Sequence, residues 1–321
     1  MESIWTRRAS GVRERLRRRP RAALATGAAL TALTVLIGWV LLADRDPRRA
    51  SDGSGRRPAP PAATPSTPTA SRWVDPATPR GVRPRGGAGT GSAELVFSDE
   101  FGAPTLDTAK WTALDVEREP HDGIRWWYAP GTVRPDAAGR GALAIDVKRL
   151  GEGRYAGGRI ETRGKYGYHG GAIEFRVHVP PTEGHLAAVW LQHPDQGDVP
   201  GTAADGAEID IAETAYRANR FSTNIHYDGY DDLKSSPGVF PAPRLHDDYW
   251  HTFGLSWTGD HLKFLYDGRV VRTVTDERLI PLVDEFVVIS HEVSDFPEGD
   301  IEDETFDADS TMYVDYVRIW K

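Results

Sequence analysis

From Glu94 to the C-terminus, apolar and polar positions alternate in short runs closed by Gly, Pro or Asp. Alternation with a period of two over four to eight residues marks a half-buried β-strand. It predicts strands near Glu94–Phe97, Ala142–Lys148, Gly171–Val179, Leu186–Leu191, Glu208–Glu213, Ser222–Tyr227, Thr252–Trp257, Leu262–Tyr266, Arg269–Val274, Phe286–His291 and Met312–Trp320. Asp267-Gly268, between two of these, predicts a hairpin turn, since both residue types tolerate positive φ. No long segment here has a 3.6-residue period, and no internal repeat is visible. The pattern predicts an all-β sandwich of two antiparallel sheets. Trp250, His251 and Trp257 are assigned to a core strand.

The N-terminal third reads differently. Residues 22–43 carry no charge. As a helix they would rise about 33 Å, enough to cross a bilayer core. Eight arginines precede them, which puts the 1–21 tail in the cytoplasm by the positive-inside rule. The stretch is longer than a typical signal-peptide core, and Val40-Leu41-Leu42-Ala43 lacks a small residue three before the candidate cleavage point. The expectation is an uncleaved transmembrane signal anchor in the plasma membrane with the remainder outside; cleavage would make the protein secreted. Residues 44–92, rich in Pro, Ala, Ser, Thr, Gly and Arg, read as a disordered linker. That leaves 93–321 as the folded domain.

Within it, Glu208-Ile209-Asp210-Ile211-Ala212-Glu213 stands out. Alternation puts Glu208 and Asp210 on one face and Ile209 and Ile211 on the other. It would also point Glu213 into the apolar side, where an unpaired carboxylate is costly. One extra residue, a β-bulge near Ala212, would return Glu213 to the acidic face. Neighbouring carboxylates raise each other's pKa. Glycoside hydrolysis needs one carboxylate ionised and another protonated. A solvated acidic strand is the alternative, but no Lys or Arg is interspersed to neutralise the acids.

Charge narrows the partners. Residues 1–92 hold 17 Lys+Arg against 6 Asp+Glu, and residues 93–321 hold 22 against 41. The net charge of −8 therefore hides a basic arm and a domain of −19. An acidic domain disfavours nucleic acid and polyanionic substrates, and a neutral polymer fits better. With no cysteine, disulfides, thiolate metal sites and cysteine nucleophiles are absent.

The ordered segments resemble glycoside hydrolase family 16. Glu94–Phe101 with Leu106-Asp107 and Lys110-Trp111 is similar to the family's opening. Tyr155–Thr162 with Gly164-Lys165-Tyr166, Gly171–Arg176, Ala188–Leu191 and the Glu208–Glu213 run follow in order, and Tyr313–Trp320 resembles the closing strand. The likeness covers roughly 94–321. It implies a concanavalin A-like β-jelly-roll with a glycan cleft on one sheet. It also implies Glu208 as nucleophile, Glu213 as acid/base, and Asp210 as the residue that tunes them, in a retaining mechanism. Transfer to acceptors other than water stays open.

The resemblance further implies substrate contacts from Trp190, His226, Trp126, Trp127 and Arg159, with a core or structural role the alternative for each. It implies no cofactor for catalysis. A structural Ca²⁺ is suggested, held by Asp315 with carbonyls near Glu100 and Gly141; a surface carboxylate bonded to a turn is the alternative. The extra residue before Glu213 separates the chain from the E-x-D-x-E lichenase and xyloglucan-transferase branches. It is shared with laminarinases, agarases, carrageenases and galactanases. Ser256, the His121–Arg125 segment and His291–Phe296 depart from the usual laminarinase pattern, so the polymer stays open between β-1,3-glucan and β-galactan types. The reading is a retaining endo-glycosidase on a neutral β-linked polysaccharide, acting as a monomer. A lectin-like binding module that has lost catalysis is the other reading.

Overall fold

In the computed structural model, the described residues are 72–87 and 93–321, apart from 122, 137, 138, 195, 197, 229–233, 295, 308 and 309. The 1–21 tail, the 22–43 anchor and most of the 44–92 linker lie outside them. Among the described residues, no helix is long and apolar enough to cross a membrane. The helical turns described there span three residues each.

The strands, in chain order, are β1 (Leu95–Asp99), β2 (Thr112–Ala113), β3 (Val116–Glu117), β4 (Arg125–Tyr128), β5 (Val133–Pro135), β6 (Leu143–Asp146), β7 (Lys148–Gly151), β8 (Arg154–Glu161), β9 (Gly167–Tyr168) and β10 (Gly171–His178). Then follow β11 (His185–Gln192), β12 (Glu208–Glu213), β13 (Arg220–His226), β14 (Gly238–Pro241), β15 (His251–Trp257), β16 (Leu262–Tyr266), β17 (Arg269–Val274), β18 (Glu285–Val293) and β19 (Thr311–Trp320). The first sheet runs β17-β16-β15-β10-β19-β6-β5, with β1 on β19. The second runs β14-β13-β12-β11-β18-β8-β4-β3, with β2 and β7 on β8 and β9 on β18.

Every strand predicted from alternation is present, within a few residues at its ends. β8 was not predicted from the pattern, because it is buried on both faces and shows no alternation. Its Gly157 faces the backbone of β18 so closely that a Cβ would strike the His291 carbonyl. The sheets are antiparallel except for one pair: β4 runs parallel to β8. Asp267 and Gly268 both adopt positive φ and close the β16–β17 hairpin as the residue pair demanded.

The two sheets enclose an aromatic-rich core that includes Phe97, Trp111, Phe175, Phe253, Trp257 and Phe264. Each such side chain contributes roughly 1.5–3 kcal/mol by leaving water. Ile209, Ile211 and Ala212 of β12 belong to this core, so the catalytic candidate strand is anchored from behind. Trp257 and His251 are buried as expected, whereas Trp250 precedes β15 and packs half-buried beside Tyr313 in a separate cluster.

The domain also begins earlier than residue 93. Residues 72–87, read as linker from their Pro and Arg content, lie along the sandwich. Trp73 meets Tyr166 edge-on at 5.5 Å, Asp75 N–H donates to Ser98 Oγ (2.9 Å), and Trp320 Nε1 donates to the Val82 carbonyl (3.1 Å). Composition misses this because the segment is held by scattered hydrogen bonds of its backbone and of Asp75, Thr78 and Arg83, and by an aromatic ring, not by an apolar periodicity.

Candidate active site

The acidic strand is bulged where the side-chain chemistry required it. Against β13, Asp210 faces Asn224 while Glu213 faces Ser222, so two residues of β12 oppose one partner. Against β11, Asp210 faces Trp190 and Ala212 faces Val189. The extra residue lets Ile209, Ile211 and Ala212 all enter the core while Glu208, Asp210 and Glu213 share the opposite face. Gly206 sets up the approach to the strand. Its φ of 134° and the His193 side chain against it leave no room for a Cβ.

The three acids line a cavity of about 620 Å³. Ser222 Oγ donates to Glu213 Oε2 at 3.2 Å. Gln192 Nε2 donates to Glu208 Oε2 at 3.0 Å. Asn224 Oδ1 accepts from Ile225 N–H, which fixes its amide so that Nδ2 donates to His226 Nε2 at 2.9 Å. His226 Nε2 also lies 3.5 Å from Asp210 Oδ2. Burial pushes Asp210 well above the usual carboxylate range, with Glu208 and then Glu292 adding to the effect. Glu213 is likewise raised well above its ordinary value, first by burial and then by the negative charges of Asp210 and Glu208. The strand thus holds two groups biased toward the protonated state beside a carboxylate that accepts a hydrogen bond. That division suits acid-assisted displacement at a sugar.

The model for glycosyl hydrolases family 16 matches residues 121–301. The chain belongs to this family. It is 25% identical over 258 residues to glucan endo-1,3-beta-glucosidase A1 of Niallia circulans, a match covering 71% of this chain and 38% of that protein. It is 28% identical over 198 residues to a beta-glucanase of Rhodothermus marinus, covering 58% of this chain and 67% of the relative. It therefore spans little more than a third of the first of these proteins and about two thirds of the second. The fold is shared with the laminarinase catalytic domain of Thermotoga maritima, at a TM-score of 0.58 and 23% identity, over 71% of this chain and 98% of that domain.

Of the substrate contacts inferred from resemblance to family 16, three line the cavity: Trp190, His226 and Arg159. Trp190 is anchored by its Nε1 on Ser290 Oγ (3.0 Å), and the Arg159 guanidinium lies 4.4 Å from its ring. Trp126 and Trp127 do not line it. Trp126 is buried in a side cluster with Tyr128, Val147 and Tyr155, and Trp127 lies between Arg125 and Arg154 on the other side of β4. In the run Trp126-Trp127-Tyr128 the aromatic that reaches the cavity is Tyr128, two residues along on the Trp126 face. Trp126 shares that face and stops short of the cavity, so its position along β4 decides, and parity excludes only Trp127.

Tyr128 belongs to the same cleft-edge aromatic run as the two tryptophans in the sequence, and sequence reasoning missed three further lining residues of consequence. Gln192, Arg118 and Glu292 all face the cavity. Glu292 accepts from Ser290 Oγ at 2.6 Å, and it bonds the Tyr128 hydroxyl, whose pKa is raised well above normal by burial and then by Glu292. A signal existed. β18 runs to Val293, two residues past its predicted end, and period two then places Glu292 with Ser290 and Val288 on one face.

Of the calcium set, Asp315 is the member that would bring a carboxylate, and its side chain is already engaged. Asp315 carboxylate is held by the Arg176 guanidinium at 2.6 Å, and Glu100 is held by Arg318 at 2.7 Å and by Thr78. Gly141 turns the chain with positive φ ahead of β6. A divalent ion needs bare oxygens; at Asp315 a permanent cation already meets the carboxylate, so these residues do not fit calcium. Elsewhere among the described residues, donor atoms of Glu208, Asp210 and His226 lie within 4.8 Å of one another. The raised pKa of Asp210 favours a proton there over a cation.

Proposed function

We propose that the chain is a retaining endo-hydrolase of β-glucan. The reading rests on the bulge of β12, which gathers Glu208, Asp210 and a desolvated Glu213 on one cavity face. Glu208 attacks the anomeric carbon and Glu213 protonates the departing oxygen. Glu213 then takes a proton from water as the glycosyl-enzyme is hydrolysed. Asp210, protonated and close to His226, limits the negative charge that Glu208 faces between these steps. Trp190 offers an indole face for a sugar ring, and Arg159 lies above it. The glucan assignment draws on relatives named for β-1,3-glucan and β-glucan hydrolysis. We further propose that residues 22–43 anchor the enzyme so that the domain acts outside the plasma membrane, as a monomer and without nucleic acid as a partner. A binding-only module is the weaker reading, because the carboxylates a catalyst needs are all present in one cavity.

The test is reducing-end release by the full-length chain on laminarin, lichenan, agarose, β-1,3-galactan and κ-carrageenan. Cleavage of laminarin or lichenan is expected, with proton NMR showing the β-anomer first. An α-anomer first would overturn retention. Binding without cleavage, or cleavage of galactan alone, would overturn the glucanase. Glu208→Ser is expected to reduce turnover by roughly 10⁴-fold while sparing polymer binding.

A further inference from the structure

Behind the nucleophile candidate lies a hydrogen-bonded line that reaches back through two strands. Glu161, at the end of β8, is 4% exposed. Its Oε2 accepts from Arg159 Nε (3.0 Å) and Nη2 (2.7 Å), and its Oε1 lies 3.1 Å from Arg163 Nε. Both guanidiniums then turn to one acceptor, the Gln192 carbonyl oxygen at the end of β11, at 3.2 Å from Arg159 and 3.4 Å from Arg163. Gln192 Nε2 faces Glu208 Oε2 at 3.0 Å.

The polarity of this line is not arbitrary. A guanidinium only donates, so the amide edge facing two of them must be oxygen. The edge facing Glu208 must then be the NH₂ group. Flipping the amide would set N–H against two cations and oxygen against a carboxylate. Arg159 is itself fixed, since it is 6% exposed and lies over the Trp190 ring. The donor is therefore held in place before any substrate arrives.

We infer that Gln192 is the positioning residue of Glu208, with its amide oriented by Arg159 and Arg163. A donor to the ionised form of a carboxylate favours that form. Gln192 sets the Glu208 carboxylate in one rotamer through a donor that pairs with its ionised form, beside two acids that burial pushes the other way. This rests on the reading of Glu208 as nucleophile.

The test measures kcat and KM on laminarin against pH for the full chain and two variants. Gln192→Met is close in length, adds no charge, and loses the donor toward Glu208. Arg163→Met removes one orienting cation from an exposed position. The acid limb of kcat/KM is expected to move up by about 1 pH unit in Gln192→Met, and in the same direction by less in Arg163→Met. The loss should fall on kcat, with KM changing less than threefold. An unmoved acid limb in Gln192→Met, or a loss confined to KM, overturns the inference and makes Gln192 a substrate contact or a spacer. A Glu208→Gly variant run alongside separates the two claims. If azide restores its turnover, the nucleophile stands and Gln192 is judged on its own profile. If Glu208→Gly keeps full activity, the nucleophile reading falls and the inference falls with it.

Discussion

Carboxylates in this fold are treated in two opposite ways. On the first sheet Asp146, Glu100 and Asp315 meet permanent cations, as Glu161 does on the second. Asp146 is held by Arg134 at 3.1 Å and Lys148 at 3.2 Å, which outweigh its burial and bring its pKa below normal. Glu100 has Arg318, and Asp315 has Arg176. On the cavity face of the second sheet, Asp210 and Glu213 form no ion pair with Lys or Arg among the described residues, and burial raises both. An acid buried beside a guanidinium has its charge matched, so that removing the cation alone is what destabilises the fold. An acid buried among other acids costs stability, and the fold bears that cost where chemistry needs a proton near neutral pH. The contrast separates charge-paired acids from the proposed catalytic ones more sharply than burial does, since Asp146 and Asp210 are similarly buried.

The contrast breaks most visibly at Glu213. Glu213→Gln keeps shape and removes the transferable proton, so kcat on laminarin is expected to fall by about 10³-fold with the melting temperature held or raised. Loss of stability with activity intact would reverse the assignment. In the native chain, Glu213 must be protonated in the first step. Activity is therefore present below its raised pKa and lost as pH rises through it. A kcat/KM profile whose basic limb lies at the ordinary carboxylate value would show that the burial of Glu213 does not act on the reaction.

The first sheet should answer in the other currency. Arg318→Met leaves Glu100 without its cation at a partly buried site, where its side chain is 15% exposed. Denaturant unfolding is expected to show a loss of about 3 kcal/mol, with kcat and KM unchanged because the pair is on the opposite sheet from the cavity. A change in kcat without a change in stability would mean that the two sheets are not separable in this way.

How much of this was readable in advance follows from where the partners lie in sequence. The bulged strand was legible because all its determinants are local: three acids, two isoleucines and one alanine within six residues. The hairpin at Asp267-Gly268 was legible for the same reason. Gln192, Glu292 and Arg176 were not, because each acquires its meaning from a residue on another strand, 16 positions away for Gln192 and Glu208 and 139 for Arg176 and Asp315. Family likeness proposed Asp315 as a metal ligand, but only the register of β10 on β19 shows that Arg176 meets it. Trp127 failed on parity, since the sequence shows alternation but not which face is inside, and Trp126 failed on its position along β4, which places it in the side cluster while Tyr128 on the same face reaches the cavity.

A third set of buried groups lets the comparison be sharpened by pH alone. His291 is fully buried, donates from Nδ1 to the Ile145 carbonyl (2.9 Å) and pairs through Nε2 with His185, which in turn reaches Glu304 at 2.9 Å. Burial first, then His185, pushes His291 down to about 3. Glu304 is brought to about 2, because hydrogen bonds from His185 and Ser310 overcome its burial. Both folded values lie below the unfolded ones. Their stability is complete above about pH 6.5, declines as His291 is forced to charge below that, and declines further as pH falls from 4.5 toward 2. Thermal melts from pH 7 to 4 should show this drop, and His291→Gln should flatten its upper part. A melt that is level from pH 7 to 5 would contradict the buried neutral imidazole.

Glu285 gives the smallest effect and the finest test. It is fully buried at the start of β18, directly behind the entry to the acidic strand, and its Oε1 accepts from Ala207 N–H at 3.0 Å. Burial raises it to about 9, against the Ala207 hydrogen bond and with help from Glu208 and Asp284. It therefore folds as a neutral acid. The sign is opposite to that of Glu304: stability is full below about pH 4.5 and is lost progressively as pH rises through 9. Glu285→Gln keeps the acceptor for Ala207 and has no proton to lose. The variant should match the native chain near pH 4.5 and exceed it at pH 8 by on the order of 1–2 kcal/mol. Glu285 is a second-sheet acid that does not line the cavity, so its removal should leave kcat within about twofold. If Glu285→Gln instead lowers kcat strongly at unchanged stability, the charge of this buried acid is felt at Glu208, and the division between structural and catalytic carboxylates does not follow the cavity wall.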